Sequence, residues 1–247
     1  PSPTRDNTSS YTFTTNEAGT ISYSGGCSSS DSTTAVADEN ITITFNELAD
    51  DAYNCNVIIT DNASNQGTLS VQFTIDTTAP ALSEVTAVST TLNPTPSYTF
   101  HSTEAGTITY GGACGSSSSS AATSGNNPVT LTQADNSTQF SDGTYNNCTI
   151  VVTDSAGNVS DALDVTAFTV SVPPYLTQVT AVPTPTSDNT PNYTFRSTEA
   201  GTITYGGACG SSDNSTATSG NNPVTLTQAD NSTQFSDGTY NNCTIVV

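Results

Sequence analysis

The chain has 247 residues, with 22 Asp and Glu against 2 Lys and Arg, for a formal net charge of -20. The two cations are Arg5 and Arg196, and Lys, Met and Trp are absent. A surface this acidic has no counterion footprint for phosphate, which excludes nucleic-acid binding and disfavours anionic membranes. Without lysine there is no Schiff-base chemistry, no Walker-type phosphate lysine and no Lys–Asn cross-link. Leu, Ile, Val and Phe together fall below about a fifth of the residues, a composition that by itself points toward disorder. No apolar run reaches membrane-spanning length.

Self-comparison settles the organisation. Tyr11-Thr-Phe13 opens a first unit that continues through Asn16-Glu-Ala-Gly-Thr-Ile-Ser-Tyr23 to Cys27. The same landmarks return at Tyr98-Thr-Phe100 and Tyr193-Thr-Phe195. Ser102 to Ser117 recurs unchanged as Ser197 to Ser212, and Ala122 to Val152 as Ala217 to Val247, both at an offset of 95. Linkers ending in Ala79-Pro80 and Val172-Pro-Pro174 divide the chain into repeats 1–76, 77–171 and 172–247. The first repeat lacks the counterpart of Ala81–Val88. The third stops before any counterpart of Thr153–Ser171, so the chain is expected to be a window on a longer array.

Short runs rich in Thr, Val and Ile between turn clusters predict β-strands, and the expected fold is all-β, a tandem of antiparallel sandwiches. In the complete middle repeat the strands are predicted near Leu82–Val88, Ser97–His101, Gly106–Tyr110, Pro128–Thr132, Thr144–Thr153 and Asp161–Ser171. Period-2 alternation puts Cys148, Ile150 and Val152 on one face. It likewise sets Val165, Ala167 and Thr169 against Thr166, Phe168 and Val170. The Ser/Gly/Asn tract from Gly115 to Asn127 is expected to be a loop.

Six cysteines fall two per repeat: Cys27 and Cys55, Cys114 and Cys148, Cys209 and Cys243. Repetition favours pairing within each repeat over the other connectivities. A bridge closing about 30 residues contributes roughly 3–4 kcal/mol in the chain-entropy model, which answers the disorder flag for so thin a core. Stable disulfides imply an oxidising, extracellular compartment. Metal binding by these cysteines is disfavoured, because no CxxC and no nearby His accompanies them.

Glu104-Ala-Gly-Thr-Ile108, Asp142-Gly-Thr-Tyr145, Thr153-Asp-Ser-Ala-Gly-Asn-Val-Ser160 and Asp76-Thr-Thr-Ala-Pro80, in this order within one period, resemble the bacterial Ig-like repeats of giant cell-surface adhesins. The resemblance covers essentially the whole chain. It implies Ig-like sandwiches in long extracellular stalks, some with Ca²⁺ at the junctions. Two features depart from the pattern: there is no Trp to pack on the disulfide, and the cysteine pair is not general among the stalks. Ig-like topology would bring Asp76 toward Glu104 and Asp154, with Asp6, Asp50 or Asp51 able to add ligands. Several carboxylates at one junction repel unless a cation joins them, and Ca²⁺ takes 6–8 oxygens. At the second junction Ser171 replaces Asp76 and is followed by Val172-Pro-Pro174, so stiffening there is expected from proline instead of an ion.

Enzymatic chemistry finds no support. His101 is the single histidine and is replaced by Thr14 and Arg196 in the other repeats. No G-x-S-x-G is present, and Gly111-Gly112 precedes a cysteine instead of a helix. The expected role is a structural array, a stalk or fibre that spaces an adhesive element from a cell surface. Its partners would be further repeats of the same chain or identical chains in a fibre, without nucleic acid or membrane insertion. Two alternatives are a filament subunit with lateral or donor-strand contacts, and a module that grips glycan or protein through its loops.

Overall fold

The computed structural model describes residues 2–31, 33–213 and 215–247, and every regular element among them is a β-strand. The chain falls into two compact units, residues 1–171 and 172–247. The expected boundary after Ser171 is where these units divide. The expected boundary after Asp76 lies inside the first unit, yet no sheet crosses it.

The first repeat contributes β1 (Ser10–Phe13), β2 (Gly19–Ser24), β3 (Thr34–Ala35), β4 (Ile41–Thr44), β5 (Asp51–Thr60) and β6 (Gln66–Ile75). They form a two-stranded sheet, β1-β4, and a four-stranded sheet, β3-β2-β5-β6. Phe13 and Ile43 from the first sheet meet Ile21, Val57 and Ile75 from the second in one core. Each sheet therefore buries one face against the other, with side chains alternating inward and outward. Outward positions pair Thr12 with Thr42 at 2.9 Å and Ser10 with Thr44 at 3.2 Å. Cross-strand hydroxyl pairs of this kind explain how a Thr-rich chain makes stable sheet from few large apolar residues.

The second repeat runs through β7 (Leu82–Thr86), β8 (Ser97–Ser102), β9 (Gly106–Gly111), β10 (Cys114–Ser116), β11 (Ala121–Ala122), β12 (Gly125–Gln133), β13 (Gly143–Tyr145), β14 (Thr149–Thr153), β15 (Leu163–Asp164) and β16 (Phe168–Val170). Their sheets are β10-β12-β8-β7, β11-β9-β14-β15 and the pair β13-β16. Three sequence expectations need correction. The predicted strand Thr144–Thr153 is two strands, β13 and β14, in different sheets. The predicted strand Asp161–Ser171 is likewise split into β15 and β16, and Val165 shares the buried side with Phe168 and Val170 instead of opposing them. The tract Gly115–Asn127 is not one loop, since it carries part of β10, all of β11 and the start of β12.

Residue count gives the reason for the two splits. The first repeat reads Tyr53-Asn-Cys55, whereas the second reads Tyr145-Asn-Asn-Cys148. Two residues apart, Tyr and Cys share a face on a continuous strand, and β5 pairs with β6 over ten consecutive positions. Three residues apart they would face opposite sides, so the strand breaks to turn both inward. The partner strand matches this: Val71 and Phe73 become Val165 and Phe168, with one residue more between them. The Ser-rich tract is ordered by Asn127, whose buried amide accepts from the Thr123 N–H at 2.8 Å and donates to the Thr123 and Gly125 carbonyls at 2.9 Å.

The third repeat, which is the second unit, contains β17 (Leu176–Thr180), β18 (Asn192–Ser197), β19 (Gly201–Thr202), β20 (Thr204–Gly206), β21 (Cys209–Ser211), β22 (Thr216–Ala217), β23 (Gly220–Gln228) and β24 (Thr244–Val246). The sheet β17-β18-β23-β21 reproduces β7-β8-β12-β10 of the second repeat. Phe195, Ile203, Ala217, Val224 and Leu226 form its core.

Each repeat closes one disulfide: Cys27–Cys55, Cys114–Cys148 and Cys209–Cys243. Gly112 and Gly207, with φ of 70° and 72°, form the turn before the first cysteine of the last two bridges. A Cβ there would collide with the carbonyl of Asn147 or Asn242, which only glycine avoids.

Candidate functional site

Three carboxylates from separate parts of the first unit converge. Asp76 leaves the first repeat, Glu104 sits in the turn between β8 and β9, and Asp154 follows β14. One carboxylate oxygen of each lies within 4.8 Å of the others. These are the three residues that the topology implied by the Ig-like resemblance was expected to bring together.

The turn after β14 holds Asp154 rigidly. Its Oδ1 accepts the N–H groups of Ala156, Gly157 and Asn158 at 2.8, 2.7 and 2.9 Å. Its Oδ2 accepts the Asn158 side-chain amide at 2.8 Å. Gly157 takes a φ of 91°, which a side chain would strain. The first repeat builds the same turn with Asp61, which accepts Ala63 N–H and Asn65 N–H at 2.8 Å and the Asn65 amide at 2.9 Å. The turn is thus a backbone device first, and its carboxylate is fixed in place for whatever approaches.

Two further contacts tie the first repeat to this turn. The Asn158 amide donates to the backbone carbonyl of Asp76 at 2.8 Å. Arg5 donates from its guanidinium to the Gly157 carbonyl at 2.9 Å. Sequence reasoning missed both residues. Asn158 closes a turn motif that the sequence shows, but its junction partner lies 82 residues away, and nothing in the local sequence marks Arg5.

Of the additional acids considered, Asp50 is the one that bears on the cluster. It accepts Thr77 N–H and Thr77 Oγ1 at 2.9 and 2.8 Å and Thr78 Oγ1 at 2.7 Å, which shapes the linker beyond Asp76. The Thr78 and Thr77 hydroxyls hold its carboxyl below the ordinary aspartate value. Asp6 and Asp51 are not members of the cluster. Asp6 accepts from Thr8 and Asp51 from its neighbour Ala52.

Glu104 carries the electrostatic consequence. Partial burial, then the charges of Asp76, Asp154 and Asp50, push its carboxyl above the ordinary glutamate value. Like charges this close disfavour full ionisation unless a cation compensates them. Three carboxylates supply the hard oxygen donors that suit Ca²⁺. Two of the carboxylates belong to the second repeat and one to the first, so an ion here would join them.

No protein-family model matches the chain, and no curated protein matches it. Among solved structures, it is similar to the Bacteroides ovatus mixed-linkage glucan utilization locus protein SGBP-B in complex with a mixed-linkage heptasaccharide. That alignment has 18% identity and a TM-score of 0.20 and covers 96% of this chain. The chain spans 57% of the length of that structure. No described helix is long and apolar enough to cross a membrane.

Proposed function

We propose that this chain is an extracellular structural array, a spacer of Ig-like repeats in a stalk or fibre at a cell surface. Its first junction is stiffened by Ca²⁺ on Asp76, Glu104 and Asp154. The observation that carries the reading is the meeting of one carboxylate from the first repeat with two from the second.

The Ig-like character is supported by a detail repeated three times. Tyr53, Tyr145 and Tyr240 each donate to the carbonyl four residues upstream, of Ala49, Ser141 and Ser236, at 3.0, 2.9 and 3.1 Å. A tyrosine just before the second cysteine, bonded back across a corner, is a hallmark of Ig-like sandwiches. The three disulfides support an oxidising, extracellular setting. They also suit a load-bearing role. Each bridge withdraws its loop from any extension under force, and a separation of 34 residues corresponds to roughly 110–120 Å of chain.

The test is a Ca²⁺ titration of the whole chain, following thermal unfolding at constant ionic strength. Ligand that binds the folded state alone stabilises by about 2.7 kcal/mol at 100 times its Kd. Stabilisation that is lost in Asp76→Asn is the expected result. An unfolding profile indifferent to Ca²⁺ defeats the metal-stiffened junction.

A further inference from the structure

β6 breaks a rule that the other sheet edges of this chain keep. An edge strand offers unpaired N–H and C=O groups to any other strand, and proteins blunt such edges with short strands, bulges, charge or proline. Among the described residues the other edge strands run five residues or fewer, and the longest of them, β7 and β17, are interrupted by bulges. β6 runs ten residues, Gln66–Ile75, in unbroken register with β5, and holds neither charge nor proline. Its counterpart in the second repeat is blunted, since β15 is two residues long, carries Asp164 and is preceded by Asp161.

Contacts at the far end of β6 show which of its backbone groups face outward. The Thr74 N–H donates to Ser2 Oγ at 3.0 Å, and the Thr74 carbonyl accepts from the Thr4 N–H at 3.0 Å. Without a bulge, period-2 alternation points the main-chain groups of Gln66, Thr68, Ser70 and Gln72 the same way. The complete second repeat sets how far a repeat's own leading segment covers this edge. There Thr91 bridges Val170 and Glu84 reaches Thr166, while β7 pairs with β8 and β15 pairs with β14 alone. Those contacts correspond to Ile75 and Gln72. Residues 66–70 lie beyond them, are all exposed, and stay open whatever leads into the repeat.

The side chains of this stretch are complementary to themselves. Gly67 and Leu69 lie on the same side of β6 as Val71, Phe73 and Ile75. Leu69 is 41% exposed, and a Cβ on Gly67 would meet nothing within 4 Å. A glycine inside a strand often marks the close approach of another segment. A two-fold axis through Thr68 sets Gly67 of one copy opposite Leu69 of the other, in both directions. Each leucine then fills the space beside the other copy's glycine. Thr68 meets Thr68, and Gln66 meets Ser70, through their outward main-chain groups.

We infer that residues 66–70 of β6 are a docking edge for a second copy of this chain, joined antiparallel about Thr68. Main-chain bonds give the affinity, and the glycine–leucine fit gives the register. The contact uses the same patch on both copies and so closes at the dimer. It joins chains laterally and is independent of whether the Asp76 junction takes Ca²⁺.

Sedimentation equilibrium of the whole 247-residue chain, at rising protein and NaCl concentrations, tests this. A monomer–dimer equilibrium is expected. It should shift toward the dimer with added salt, because screening relieves the repulsion between two chains of charge -20. Amide exchange at Thr68 and Ser70 should slow by about tenfold or more once the dimer predominates, with Leu163 and Asp164 unchanged. Thr68→Pro removes an outward N–H and no bond to β5, and Gly67→Leu fills the space that the second copy's leucine needs. Each variant should melt like the parent and stay monomeric. A monomer at every concentration and salt overturns the inference, as does association that continues past the dimer, or a dimer that both variants retain. Should a variant fail to fold, exchange in the parent decides, and a dimer that leaves Thr68 and Ser70 unprotected overturns it.

Discussion

Glu104 and Asp135 titrate in opposite senses for opposite reasons. Asp135 accepts the Thr138 hydroxyl and the N–H groups of Thr138 and Ser137, which pull its carboxyl down to about 2, and Asp230 repeats this with Thr233. Their contribution to stability is present above the ordinary aspartate value and is lost as pH falls toward about 2. Glu104 is held above its ordinary value by burial and by Asp76 and Asp154. Its contribution is fully present below the ordinary glutamate value and is lost as pH rises through the elevated folded one. Glu104→Gln should therefore stabilise the Ca²⁺-free chain at neutral pH, match the parent below about pH 4, and abolish the response to Ca²⁺. Thermal unfolding across pH, with chelator and with Ca²⁺, measures all three. At the corner residue, Tyr145→Phe keeps the ring on Phe168 and deletes the bond to Ser141. Chemical denaturation should show a loss of about 1 kcal/mol.

At the scale of elements, the break between β13 and β14 and the break between β15 and β16 form one feature. Each strand holds one residue more than its counterpart in the first repeat, and the two extra residues let Tyr145 and Cys148, and Phe168 and Val165, all face inward. Deleting Asn146 alone, or Ala167 alone, should turn half of a strand to the wrong face and cost more than about 4 kcal/mol. Deleting both should recover much of that loss by restoring the long hairpin seen in β5 and β6. Denaturant unfolding of the three variants tests the coupling. The disulfides act on the same elements, with Cys114 at the start of β10 and Cys148 just before β14, in different sheets. Replacing both by Ser should cost about 2–5 kcal/mol.

At the scale of the whole molecule, a formal charge of -20 on 247 residues keeps the surface hydrated and sets it against itself. Added monovalent salt should stabilise every repeat modestly through screening. A Ca²⁺ effect at the junction should persist at about 0.15 M salt, because a partly buried cluster is screened less than exposed charge. The comparison of Ca²⁺ with monovalent salt at equal ionic strength separates the two.

Much of this architecture was legible in the residues. The repeats, the all-β character and the cysteine partners follow from self-similarity, Thr/Val-rich alternation and two cysteines per period. The meeting of Asp76, Glu104 and Asp154 followed from the order of the motifs together with the topology that the resemblance implied. The strand breaks were less legible, since alternation was read within each strand and the extra residues show only when repeats are compared. Asn158 and Arg5 joined the junction through contacts 82 and 152 residues distant, which no local pattern encodes. Burial was beyond the sequence altogether. Thr130 and Thr132 are the same residue two places apart in β12, yet one is half-buried and the other sealed. Local sequence fixes backbone propensity and the side a residue faces, whereas the neighbour that covers it comes from another strand.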